Sequence, residues 1–163
     1  DRSLALWEEL PRQAEGSASQ ERCEKFRALS IDAAAKSWIG STRSERVAEL
    51  WKAAAAGDSR RIAALVEAGV DLNATNEYGQ TACFMAAWHN HRDALLILLS
   101  CGADATLASH GGSQPVACAA GNSCWAAVEV LAEAGADLHK PSSEGRTAAD
   151  YCNDLLATAE DGL

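Results

Sequence analysis

The chain has 163 residues, 48% of them hydrophobic, with 14 basic against 23 acidic side chains and a formal net charge of −9. That is enough apolar material for one core, and the acidity argues against nucleic-acid phosphate or an anionic lipid surface as the main partner. No stretch approaches the roughly 20 consecutive apolar residues of a membrane-spanning helix, so none is expected.

Leu4, Leu6, Trp7 and Leu10 predict a short helix stopped by Pro11, and a Gly/Ser-rich connector continues through Ser19. A longer helix is expected over 20–39, with Cys23, Phe26, Leu29 or Ser30, Ala33 and Ser37 or Trp38 toward one side and Gly40 at its end. Residues 1–42 are therefore read as a helical extension that caps the open side of the remaining chain. The alternative is a docking element that inserts Trp7 and Leu10 into a partner. These first forty residues are near charge balance, with six bases and seven acids, so the acidity lies in the remainder. Thr42 and Glu45 have capping-box spacing and predict the start of the next helix.

Beyond that point one phrase returns. Glu-Ala-Gly-Val-Asp-Leu-Asn at 67–73, Ser-Cys-Gly-Ala-Asp-Ala-Thr at 100–106 and Glu-Ala-Gly-Ala-Asp-Leu-His at 133–139 set Gly69, Gly102 and Gly135 33 residues apart. Gly79, Gly112 and Gly145 keep the same interval, as do Ala53-Ala54, Ala86-Ala87 and Ala119-Ala120. Three ladders on one period mark a solenoid of stacked units. Before each glycine of the first ladder, Ile62, Leu65 and Val66, then Leu95, Leu98 and Leu99, then Val128 and Leu131 line one helix face. The glycine itself suits a left-handed position just past the helix end, where a Cβ costs about 1–2 kcal/mol.

At Gly79-Gln80-Thr81-Ala82-Cys83-Phe84-Met85-Ala86-Ala87, closed by Leu98-Leu99-Ser100-Cys101-Gly102-Ala103-Asp104, the chain resembles an ankyrin-repeat protein. The unit of that family reads roughly Gly-x-Thr-Pro-Leu-His-x-Ala-Ala, then a second helix ending Leu-Leu-x-x-Gly-Ala-Asp. The resemblance implies an all-α fold, an ankyrin-repeat solenoid of stacked helix pairs with β-turn fingers and an N-terminal helical cap. Four units are placed at 43–75, 76–108, 109–141 and 142–163, the last truncated, after the extension at 1–42. At the tetrapeptide site they read Ala48-Glu49-Leu50-Trp51, Thr81-Ala82-Cys83-Phe84, Gln114-Pro115-Val116-Ala117 and Thr147-Ala148-Ala149-Asp150. None keeps the whole motif, so the hydrogen bonds that Thr and His share in the family are not expected intact. Trp51 and Phe84, at the His position, are read as core. Asp154, Glu160 and Asp161 are expected to interrupt the last unit after Tyr151.

In the family, ligands sit against the turn tips and the first helices, as in a cupped hand. Carried over by position, the finger sites are Glu77, Tyr78 and Gln80, then His110, Gly111 and Ser113, then Ser143, Glu144 and Arg146. The palm sites are Ala55 and Ala56, then Trp88 and His89, then Gly121 and Asn122. The partner-binding set drawn from these is Glu77, Tyr78, Gln80, Trp88, His89, His110, Ser113, Asn122, Glu144 and Arg146. Stacking does not demand an indole at 88, since its equivalents Ala55 and Gly121 are tiny, and Trp and Tyr are favoured interface anchors. The alternative is that Trp88 fills a gap against its neighbours. Trp125 opens a second helix and falls on the convex back.

Catalytic and metal chemistry find little support. His89 and His91 lie near Asp93, but residues two apart on a helix point to opposite sides, and no carboxylate or thiol set stands at ligand spacing. Gly111-Gly112-Ser113 lacks the following Lys of a phosphate-binding loop. Ser109-His110 has no ordered partner, and Asp150 with Asp154 has no enclosed pocket. No enzyme activity, metal or other cofactor is expected. The six cysteines, Cys23, Cys83, Cys101, Cys118, Cys124 and Cys152, read as reduced thiols.

The function expected is a non-catalytic protein-protein interaction module that binds a protein partner, one with a basic face in the charge-complementary case, and not nucleic acid. The alternatives are a structural subunit fixed in a larger assembly and the regulatory part of an enzyme whose catalytic domain lies outside these residues. A start at Asp1 without Met is read as a trimmed larger protein or a cleaved targeting peptide. An intracellular, reducing compartment is expected, cytoplasmic or nuclear by default, or an organelle interior after targeting-peptide removal.

Overall fold

The structure, a computed structural model, describes residues 42–161. The helical cap expected over 1–42, including Trp7, Leu10 and Cys23, lies outside these residues except for Thr42. Seven helices are described: α1 (Arg43–Ala56), α2 (Ser59–Glu67), α3 (Ala82–Trp88), α4 (Arg92–Ser100), α5 (Pro115–Gly121), α6 (Trp125–Glu133) and α7 (Ala148–Asp161), with no strand among the described residues. The first helices α1, α3, α5 and α7 pack side by side as one row, α2, α4 and α6 form the second row, and α1–α2, α3–α4 and α5–α6 pack as pairs. The fold is thus all-α and layered as the 33-residue period predicts.

Local chemistry sets the helix limits. Thr42 accepts from the Glu45 amide at 3.2 Å and the Glu45 carboxylate accepts from the Thr42 amide at 3.1 Å, which closes the expected capping box on α1. The second helices end in a shared turn. The Gly69 amide donates to Val66 O at 3.0 Å and Val70 to Leu65 O at 3.2 Å, and the same pair of bonds recurs at Gly102 and at Gly135. Those three glycines have φ of 73°, 94° and 87°, the left-handed region the sequence assigned to them.

The first helices end in the same way, which the sequence did not announce. Gly57, Asn90 and Ser123 stand 33 residues apart with φ of 70°, 59° and 58°, and each donates to the second alanine of its buried pair. Asn90 combines αL tolerance with a bond onward, since its Oδ1 accepts from the Ala127 amide at 3.1 Å. Ser123 is exposed, and among the described residues no hydrogen bond of its side chain compensates for the backbone conformation. Ser123→Gly is therefore expected to stabilise the fold by about 1 kcal/mol, the αL cost removed less the added freedom of the unfolded chain. Chemical denaturation checks it: a midpoint raised at constant slope is the expected result, and a lowered midpoint refutes the strain.

The alanine pairs are buried and let adjacent first helices approach closely, while Leu50, Ile62, Leu65, Leu95, Leu98, Val116, Val128 and Leu131 join them in one continuous apolar cluster. Phe84 is core, as expected. Trp51 is partly buried, and its indole donates to Ala74 O at 3.1 Å.

One sequence expectation is refined and another needs correction. Part of the tetrapeptide chemistry survives: buried Thr81 accepts from the Phe84 amide at 3.2 Å and so caps α3. Gln114 takes the same place in the third unit but turns its amide to Thr106 O at 2.6 Å, and Pro115 fixes the first turn of α5 instead. Nor do the acids break the last unit, since α7 runs unbroken to Asp161. The Thr147 amide donates to Asp150 Oδ2 at 2.9 Å and the Asp150 amide donates to Thr147 Oγ1 at 3.1 Å, so Asp150 anchors the start of α7, while Asp154 pairs with Arg146 on its surface. Among the described residues, no helix is long and apolar enough to cross a membrane.

Candidate functional site: finger turns and the ends of the first helices

Each finger is a tight turn built from local hydrogen bonds. In the second unit the Asn76 amide donates to Gln80 O at 3.0 Å and Gly79 donates to Asn76 O at 2.9 Å. The Asn76 side chain locks the tip further, accepting from the Tyr78 and Gln80 amides at 2.9 Å each. Ser109 with Ser113 and Gly112, and Ser142 with Arg146 and Gly145, repeat the backbone pattern.

The fingers also touch one another. The His110 amide donates to Tyr78 O at 2.9 Å, and the Ser113 and Ser143 hydroxyls lie 3.4 Å apart. Gly79 permits the first contact, because a Cβ there would stand 2.4 Å from His110 Cδ2 and 2.7 Å from its backbone nitrogen. The turn tips are thus held in a fixed row.

The first helices end in a second tied row. His91 Nε2 bonds the Ala55 carbonyl at 2.9 Å, which sets that nitrogen as the donor, and the Cys124 thiol reaches the Trp88 carbonyl at 3.5 Å. Ala55 and Trp88 are equivalent in the repeat, as are His91 and Cys124. The backbone beneath Trp88 is therefore held by the following unit while its indole stays 48% exposed, with its ring 6.2 Å from that of Phe84.

Tyr78 is 62% exposed. Glu77, His89, His110, Asn122 and Glu144 are also exposed, so none of the expected contact residues has turned into the core. Besides Ser113, whose hydroxyl meets that of Ser143, three are already engaged. Gln80 Oε1 accepts from Asn76 Nδ2 at 3.0 Å and helps build its own turn, and Asn122 Nδ2 points to Cys118 Sγ at 3.7 Å. Arg146 pairs with Asp154 and stacks 4.1 Å over the Tyr151 ring, so its charge is answered within the fourth unit.

The sequence reading missed a further rung. Lys52, Met85, Cys118 and Tyr151 occupy one position of successive first helices, three residues before the Ala55–Trp88–Gly121 position, and none is fully buried. The 33-residue register contained that signal. Tyr151 reaches farthest, since a Cβ on Gly121 would meet its ring at 3.4 Å.

The repeat region as a whole is acidic. Hydrogen bonds from the Thr106 hydroxyl and amide hold the Asp104 carboxyl below the usual carboxylate range, and the Thr147 amide and hydroxyl do the same for Asp150. Several bases are spoken for: Lys52 by Glu49 at 3.1 Å, Arg43 by Asp71 at 3.5 Å and Arg146 by Asp154. Burial pushes the Cys83 and Cys118 thiols up to about 12, which leaves them protonated and unreactive at neutral pH. Among the described residues, none of the five cysteines is in a disulfide and no three His, Cys, Asp or Glu side chains gather as a metal-binding group.

A family model described as ankyrin repeats (many copies) matches residues 50–99. Ankyrin repeat domain-containing protein 40 of Mus musculus is 41% identical over 73 residues, which cover 44% of this chain and 20% of that protein. Its Homo sapiens counterpart has the same identity and coverage, 41% over 73 residues. A Bos taurus protein named inactive serine/threonine-protein kinase TEX14 is 30% identical over 109 residues, 66% of this chain and 7% of that protein. The chain thus spans a fifth or less of the length of the relatives it matches.

Proposed function

We propose that this chain, which is built of ankyrin repeats, works as a non-catalytic interaction module that binds a protein partner across its finger turns and the ends of its first helices. Ankyrin repeats serve as protein-interaction modules, and this surface is the concave one in that family. The single observation that carries the reading is the exposure of Tyr78 and Trp88 on elements otherwise held rigid by hydrogen bonds. A preformed surface loses little conformational entropy on association, and exposed Tyr and Trp are the side chains that most often anchor it. The acidic rim at Glu77 and Glu144 favours a partner with a basic face over nucleic acid.

The experiment is affinity capture from native extract with the intact chain and with a Trp88→Ala, Tyr78→Ala variant, read by mass spectrometry. A partner retained by the first and lost by the second supports the reading, whereas equal recovery removes these residues from the interface. For the partner so identified, Trp88→Ala alone is expected to weaken binding by about 2 kcal/mol or more, measured by titration calorimetry.

Leu155, 47% exposed on α7, favours a second reading, a subunit fixed in a larger assembly through its last helix. A soluble, two-state monomer that loses its captured partner on Trp88→Ala but not on Leu155→Ala rejects this second reading.

A further inference from the structure

The four first helices do not present equal side chains to this face. At the register positions where the fourth unit has Arg146, Tyr151 and Asp154, the third has Ser113, Cys118 and Gly121. The third unit is therefore a low place between two tall ones. On one side stands Trp88, 48% exposed, and on the other Tyr151, with the guanidinium of Arg146 on its face at 4.1 Å. Neighbouring packed helices lie roughly 8–10 Å apart, so the two aromatic walls flank the width of a single helix. The Asn122 side chain, bonded to Cys118 Sγ at 3.7 Å, places one amide at the end of the floor.

The fourth unit shows what such a surface accepts. There a guanidinium lies between an aromatic face and a carboxylate, supplied by Arg146 to Tyr151 and Asp154. The finger that precedes α3, at the end of that helix opposite Trp88, carries an exposed carboxylate, Glu77, next to the exposed ring of Tyr78, and no base among the described residues pairs with it. The surface is therefore complementary to a segment that carries a cation toward the finger and an apolar side chain toward the far end of the first helices.

We propose that the depression over α5, between Trp88 and Tyr151, is the specificity-determining notch of this face, and that its occupant is a linear segment of a partner protein bearing an apolar side chain and, a few residues along, an arginine or lysine. The apolar group lies over Cys118, between Trp88 and the Tyr151 ring whose edge already packs beside Gly121, and the basic group pairs with the acidic finger at Glu77. The inference rests on the proposed interaction function and narrows it to one unit and one partner chemistry.

The test is a selection from a random 12-residue peptide library against the full chain, followed by affinity measurement on Gly121→Leu, Glu77→Lys and, as a site away from the notch, Leu155→Ala. Each variant is first checked for native circular dichroism. Gly121→Leu fills the floor, and Trp88→Ala, which removes a wall and leaves the helix intact, serves as the second variant where Tyr151 cannot yield to the leucine. The expected result is enrichment of peptides with an apolar residue a few positions from an Arg or Lys. These should lose at least tenfold in affinity on Gly121→Leu or Trp88→Ala and on Glu77→Lys, and be unchanged on Leu155→Ala. Peptides lacking a basic residue, or failure to enrich any, overturn the proposal. Peptides indifferent to Gly121→Leu and Trp88→Ala but lost on Tyr78→Ala overturn the notch while leaving the wider surface as the interface. Peptides sensitive only to Leu155→Ala overturn both.

Discussion

Leu98→Ala is expected to cost about 3–5 kcal/mol, a large share of the roughly 5–15 kcal/mol that holds a domain folded. Leu98 is fully buried in the second helix of the second unit, within the cluster that α4 shares with α2 and α6. A unit in a stacked array has two neighbours and depends on both. Truncating Leu98 opens a cavity that this packing cannot close by collapse, because the leucine's own carbonyl is tied by the Ala103 amide at 3.0 Å. Leu155→Ala, at a side chain 47% exposed, is expected to change stability by only about 0.5 kcal/mol. Urea unfolding followed by circular dichroism separates the two. Similar midpoints for both variants would contradict a single core running through the units.

Gly79→Ala is expected to destabilise by about 3 kcal/mol, and Gly112→Ala, its equivalent one unit on, by only about 1–2 kcal/mol. Both glycines have left-handed backbone, at φ of 73° and 77°. The difference is the space around them. A Cβ at Gly112 meets nothing within 4 Å, while at Gly79 it strikes the His110 ring at 2.4 Å and its backbone nitrogen at 2.7 Å. The ring can rotate, but the backbone nitrogen cannot move without breaking its bond to Tyr78 O. The two fingers must then separate, so Gly79→Ala should also weaken partner binding when Gly112→Ala does not. Equal losses of stability at the two sites would show that the finger contact contributes nothing.

Some features were legible in the sequence and others hidden, according to how each is encoded. The glycines at 69, 102 and 135 and at 79, 112 and 145 were legible because positive φ selects glycine strongly, and all six adopt it. The turns at Asn90 and Ser123 were not legible, because there the conformation is imposed by the helix pair rather than by a permissive residue. Aligning them with Gly57 on the same period would have exposed them. Exposed Trp88 was legible because its equivalents Ala55 and Gly121 are tiny, and Tyr78 because it falls at a finger position of the resemblance.

Sequence position alone makes Arg146 a contact residue, because its partner Asp154 lies eight residues away among acids that predict an interruption. Only the continued helix α7 brings the two together. The height difference between the Met85, Cys118 and Tyr151 rungs is held in the 33-residue register but emerges only when three units are set side by side.

The central claim is that the partner lies against the finger turns and the ends of the first helices. Amide hydrogen exchange of the chain, alone and saturated with its captured partner, tests it most directly. The account predicts slowed exchange at 77–80, 88–91, 110–113 and 121–124, with α2, α4 and α6 unchanged. Protection confined to α2, α4 and α6, with the fingers exchanging as in the free chain, would contradict it.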